Sequence, residues 1–240
     1  MQAFNRVSLR DPTGYGQQPL LFIPNQGQAD DKFAYVAQKF GLYVGVSSQA
    51  VSMVFCKPNT NGIALHLVWT FVGASTEAEL QGLDQAEGLF HYLLSDDPSS
   101  RFTNLPPFRK VVCKSLWHGI DVIIQDQDQA LKYDWVVHPG GKPEKIRLTC
   151  EGCEDIRLDE EGNLHYHTKL GIVTDSKPVA YQADGSRLVD IACRYSLSER
   201  SDGSMTVGFE LPEGYDDSLA LVIDPILSYG VFLGGKDKQA

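Results

Sequence analysis

Residues 131–137 read LKYDWVV, and their alternation decides the fold class. Leu131, Tyr133, Trp135 and Val137 fall on one side, with Lys132, Asp134 and Val136 on the other. That is the period-2 pattern of a strand with one buried face. After the turn residues PGGKPE the same logic continues in IRLTC, 146–150. Further on, IRL and LHYHT flank the turn DEEGN, and the pairs Asp184-Gly185 and Asp202-Gly203 sit between other strand-like runs. Asx-Gly pairs suit tight hairpin turns, so successive antiparallel hairpins are expected here.

Upstream, FAYVAQKF, GLYVGV, AVSMVF and, after the turn KPNTNG, IALHLVWTFVG form a meander of four candidate strands. The one helix-like stretch is STEAELQGL at 75–83, with Ser75 and Thr76 as candidate caps. The expected fold is therefore all-β with little helix: antiparallel β-sandwich, as one unit or two packed β subdomains. The boundaries read as a polar lead-in at 1–20, an N-terminal β subdomain at 21–94, a Pro-rich linker or loop at 95–110 and a C-terminal β-sandwich subdomain at 111–226. Residues 227–240 read as the start of a further, truncated repeat. Asp224-Pro225 marks the corner after the strand Leu221–Ile223, because proline cannot continue a ladder.

Composition narrows the function classes. The net charge is −10, from 31 acidic and 21 basic residues, with no dense Lys/Arg run. This argues against nucleic acid and against docking on anionic lipid, both of which draw affinity from basic residues. No apolar run approaches the roughly 18 residues of a membrane span. The opening MQAFNRVSLRDPTGYGQQP lacks the apolar core of a secretory signal, so a cytosolic chain, a trimmed one or another export route is expected.

The five cysteines, Cys56, Cys113, Cys150, Cys153 and Cys193, are odd in number and irregular in spacing, a poor match to a disulfide framework. The sharpest chemical pattern is CEGC, Cys150 to Cys153, followed by His165 and His167. Two thiolates and two imidazoles are a zinc ligand set. Alternation opposes it. Cys150 extends the apolar stripe of Ile146 and Leu148, whereas His165 and His167 alternate with Leu164 and Tyr166 and should face solvent. Neither metal nor cofactor is expected. Cys193, in phase with Ile191, Tyr195 and Leu197, and Cys113, beside Val111 and Val112, read as small core residues, although His118 near Cys113 leaves a nucleophile reading to test.

No G-x-S-x-G elbow or phosphate-binding P-loop occurs. The acidic groups Asp96-Asp97, Asp159-Glu160-Glu161 and Asp216-Asp217 read as solvated turns. Trp69, Trp117 and Trp135 sit in apolar settings that suit a core. Asn25-Gln26-Gly27-Gln28 reads as a turn after PLLFIP whose amides cap backbone groups.

Several segments together resemble the N-terminal module of bacterial proteins that carry SBBP (seven-bladed β-propeller) repeats. They are PLLFIPNQGQ at 19–28, GLFHYLLSDDPSSRFTNLPPFRKV at 88–111, HGID at 118–121, LKYDWVVHPGGKPEKIRL at 131–148, KPVAYQ at 177–182 and LVIDPILSYGVFLGG at 221–235. The resemblance implies an all-β module followed by propeller-type repeats in a cell-surface or extracellular protein. It brings no catalytic residue. Similar proteins tend to show an apolar residue in place of Cys150 and a small one in place of Cys153, which favours core packing there.

The expectation that follows is a non-catalytic structural or interaction module whose partners are the downstream repeats and a protein or glycan ligand. It involves no nucleic acid and no membrane insertion. Two alternatives stand beside it: a carbohydrate-binding module using exposed Tyr or Trp rings, and a metal-dependent hydrolase built on Cys150, Cys153, His165 and His167.

Overall fold

The computed structural model describes residues 19–39, 41–56, 63–95, 97–127 and 130–228, and its regular structure is almost wholly antiparallel strand. Most of the lead-in segment, the KPNTNG turn and the repeat-like residues from Tyr229 onward lie outside the described residues.

The four strands of the meander are present as read, and one more strand, from PLLFIP, precedes them. Strands β1 (Phe22–Pro24), β2 (Tyr35–Lys39), β3 (Leu42–Val46), β4 (Ala50–Cys56) and β5 (Ala64–Phe71) pair each with the next. In β5, Leu65, Leu67, Trp69 and Phe71 are buried and alternate with more exposed residues. The loop after β1 is held by its amides. Asn25 Nδ2 donates to the carbonyls of Asp30 at 2.9 Å and Phe33 at 2.8 Å, and its Oδ1 accepts from the N–H groups of Gly27 and Ala29, each at 3.1 Å. Gln28 Nε2 donates to the Pro24 carbonyl at 2.7 Å.

The helix-like stretch at 75–83 is not a helix: a turn leads into strand β6 (Glu79–Gln85). Local helix propensity is weak against a ladder, and β6 pairs along most of its length with β9 (Phe108–Trp117). Gly82 fits this site because a Cβ there would run into the Phe108 ring. Between them, β7 (Phe90–Leu93) and β8 (Arg101–Leu105) form a small separate sheet, so the Pro-rich stretch 95–110 contains a 3-10 turn at Pro98–Ser100, β8 and the first residues of β9.

The second half adds β10 (Ile120–Gln127), β11 (Ala130–Val137), β12 (Leu148–Glu151), β13 (Asp155–Leu158), β14 (Leu164–Thr168), β15 (Gly171–Asp175), β16 (Val179–Asp184), β17 (Arg187–Ile191), β18 (Arg194–Glu199), β19 (Met205–Glu210), β20 (Leu221–Asp224) and β21 (Ile226–Ser228). β9, β10 and β11 are consecutive hairpin neighbours. The halves share one sheet, because β12 pairs with β5 and then with β19, while β9 pairs with β1 and β6. The result is a curled, nearly closed barrel-like sheet.

Pro225 interrupts the ladder as its chemistry implies: β20 ends at Asp224 and β21 begins at Ile226. β20 and β21 both lie on β11, on either side of the proline, and what changes is the far partner: β20 faces β16, and β21 faces β15. The missing proline N–H costs one rung. The Ile226 N–H then bonds the Ser176 hydroxyl at 3.2 Å, and the Ser176 N–H returns to the Ile226 carbonyl at 3.0 Å.

The curl buries a continuous aromatic cluster. Trp69 of β5 packs edge-on against Tyr133 of β11 at 4.9 Å, and Trp135 lies 6.0 Å from Phe71, 5.8 Å from Trp117 and 6.1 Å from Tyr133. Offset and edge contacts of this kind add to the burial of the rings themselves. The core leaves a void of about 10 Å³ beside Val51, Trp69, Tyr133 and Trp135, about the size of one water molecule.

Candidate functional site

The residues singled out for metal chemistry do not converge. Cys150 and Cys153 are half-buried against the hydrophobic core at the end of β12. His165 and His167 sit on the outward face of β14, opposite the buried Leu164 and Tyr166. Both ring nitrogens of His165 are engaged: Nε2 donates to Asp159 Oδ2 at 2.8 Å, and Nδ1 lies 3.0 Å from the Thr174 hydroxyl. Asp159 also accepts from the Asn163 backbone and side chain, each at 2.8 Å, and the Asn163 bond is the largest of the effects holding its carboxyl well below the usual range. DEEGN is thus a self-capped hairpin turn. Among the described residues no three His, Cys, Asp or Glu side chains group as a metal would require.

Cys113 and Cys193 are buried, and burial pushes each thiol up to about 12, the opposite of an activated nucleophile. Trp69, Trp117 and Trp135 are all buried and offer no face to a sugar ring.

Two polar clusters absent from the sequence reading lie on opposite faces of β11. The inward one is built on Asp175, the last residue of β15, which is in phase with buried Val173 and completely enclosed. Tyr133 donates its hydroxyl to Asp175 Oδ2. The Tyr195 hydroxyl, in the same cluster, donates to the Ser176 carbonyl at 3.0 Å. Asp175 Oδ1 and the Tyr166 hydroxyl have no hydrogen-bond partner. Desolvation disfavours the carboxylate and outweighs the help from Tyr133 and Tyr195, so the Asp175 pKa rises to about 7. Burial likewise holds the Tyr133, Tyr166 and Tyr195 hydroxyls well above their ordinary value.

The outward cluster is built on Lys132. Its ammonium lies 2.8 Å from Asp224 Oδ2 and 3.3 Å from Asp134 Oδ1, and Gln125 Nε2 donates to Asp134 Oδ2 at 2.8 Å. The ladder explains the meeting: Gln125 and Ile226 both stand opposite Lys132, on β10 and β21, and Asp224 follows two residues before Ile226. The side chains are only 13%, 14% and 20% exposed for Lys132, Asp134 and Asp224, so the charges are mostly shielded. Burial raises the Asp134 carboxyl, with Lys132 opposing. Burial pulls Lys132 down, but the two carboxylates more than offset it and leave it raised.

Chemically, the inner acid can hold a proton near neutrality but has no contact with solvent. The outer acids are already bridged by a cation. The outer cluster pairs its charges and the inner one favours the neutral acid, and both tie together strands distant in sequence, which is the behaviour of polar groups that fix strand register.

The family model described as Domain of unknown function (DUF7948) matches residues 22–226. No curated protein and no solved structure matches the chain.

Proposed function

The chain belongs to the DUF7948 family of domains of unknown function, and on that premise we propose that it is a non-catalytic structural or interaction module at the head of a bacterial cell-surface or extracellular protein with propeller-type repeats. The observation that carries this reading is the free edge of β17, among the described residues, beside the outward face of β16. Among the described residues β17 pairs only with β16, and the two strands present Val179 and Leu188 at 57% and 65% exposure. The Ala183–Leu188 pairing puts Leu188 on the outward face that Val179 and Tyr181 share. An unpaired strand edge beside exposed apolar side chains favours strand addition or docking by another β element.

The resemblance of residues 221–235 to the start of a propeller-type repeat makes the following chain the first candidate partner, with a protein or glycan ligand second. A glycan face would have to be built without the three tryptophans, all of them buried. The test places a photo-cross-linking residue at position 188 in the full-length protein on cells. Cross-links to downstream repeats or to one defined partner are expected. Turnover of an ester, glycoside or peptide substrate that disappears in Asp134→Asn or Asp224→Asn would overturn the non-catalytic reading.

A further inference from the structure

The CEGC segment has a geometry that neither metal binding nor simple core packing uses. Cys150 stands opposite Trp69 in the β5–β12 ladder, and the chain then turns sharply at Gly152. Gly152 has φ +93°, and a Cβ there would run into the His66 carbonyl, so this turn needs glycine. The turn folds Cys153 back over Cys150. Cys153 Sγ donates to the Cys150 carbonyl at 3.5 Å, which brings the two thiols into mutual electrostatic influence, Cys150 shifted up and Cys153 down. Cys113 and Cys193 are sealed in the core, whereas this pair is half-buried at the surface of the core.

We propose that Cys150 and Cys153 are a redox-active dithiol that closes to an intrachain disulfide by exchange with a small-molecule disulfide, Cys153 attacking and Cys150 resolving. The Cys153 thiolate forms a bond to one sulfur of the oxidant RSSR, whose S–S bond breaks and releases RS⁻, which takes up a proton. Cys150 then loses its proton and attacks Cys153 Sγ, expelling the second RS⁻, which is protonated in turn. The protein dithiol is oxidised by two electrons and RSSR is reduced to two RSH. The order of attack follows from the turn, which folds Cys153 over the end of β12: beside Cys150 the Cys153 thiol is lowered, while Cys150 is held high by Cys153 and by burial.

The test equilibrates the protein with oxidised glutathione, alkylates the remaining thiols after denaturation, and maps the products by peptide mass. Alkylatable cysteines are expected to fall from five to three, with the linked peptide containing Cys150 and Cys153. In Cys150→Ser, glutathione should accumulate on residue 153 as a stable mixed disulfide. In Cys153→Ser, no adduct should form at residue 150. Five alkylated thiols after equilibration, or a disulfide that maps to other cysteines, would overturn the proposal. An adduct at residue 150 in Cys153→Ser with none at residue 153 in Cys150→Ser would overturn the assigned roles.

Discussion

Strand β11 carries one polar cluster on each face, and the two handle charge in opposite ways. Inward, Tyr133 meets Asp175 in a completely enclosed site, where burial favours the neutral acid. Outward, Lys132 bridges Asp134 and Asp224 where some solvent remains, and the cluster keeps its charges by pairing them. The difference teaches how a single alternating strand can fix its neighbours on both sides. The inner pair ties β11 to β15, across the far side of β21, and the outer triad ties β11 to β20.

The comparison can be broken most forcefully from the inner face. Trp135→Ala empties a site that is 1% exposed and ringed by Phe71, Trp117 and Tyr133. Urea unfolding should show a loss of about 3–5 kcal/mol. Tyr133→Phe keeps the ring but removes the donor to Asp175, leaving a buried carboxyl further unsatisfied. The expected cost is about 1–3 kcal/mol in the same assay at neutral pH.

On the outer face, Lys132→Met strips the cation from two carboxylates that are 14% and 20% exposed. Its cost should lie between that of an exposed and a fully buried pair, about 1–2 kcal/mol, and should shrink as added salt screens the acids. Leu188→Ser, at 65% exposure, should change unfolding free energy by no more than about 0.5 kcal/mol. It should nonetheless weaken cross-linking from a photoreactive residue placed elsewhere on β17, which would separate surface function from stability.

Much of the local architecture is legible in the chain. The alternation in 131–137 correctly gives a strand and its buried face, the run at 64–71 is a strand as read, and the amides after PLLFIP cap the loop as read. What resists reading is whatever depends on distant partners. The helix-like residues at 79–83 become a strand because β9 supplies a ladder, and nothing near them in sequence signals it. Asp175 could have been noticed as an acid in phase with buried Val173, yet its donor lies on another strand at residue 133. Lys132 and Asp134 are visibly on one face, but Asp224 joins them only through the β11–β20 pairing. The CEGC pair stands out in the sequence only as a zinc candidate that alternation opposes. That Cys153 folds back onto the Cys150 carbonyl is a matter of the turn at Gly152.

If the polar clusters hold the sheet, the enclosed acid gives the most sensitive readout of that role. An acid whose pKa rises from 3.8 in the unfolded chain to about 7 in the fold binds its proton more tightly when folded. Its stabilising contribution is complete below the unfolded value and is lost as pH rises from about 4 through about 7. His66, lowered by burial, changes stability in the opposite sense, so the informative quantity is a difference between two proteins. The measurement is unfolding free energy against pH for the native chain and Asp175→Asn. The native chain should lose stability relative to the variant as pH rises across that window. Parallel curves would mean that Asp175 titrates as an acid open to water, and would contradict the structural reading of the inner cluster.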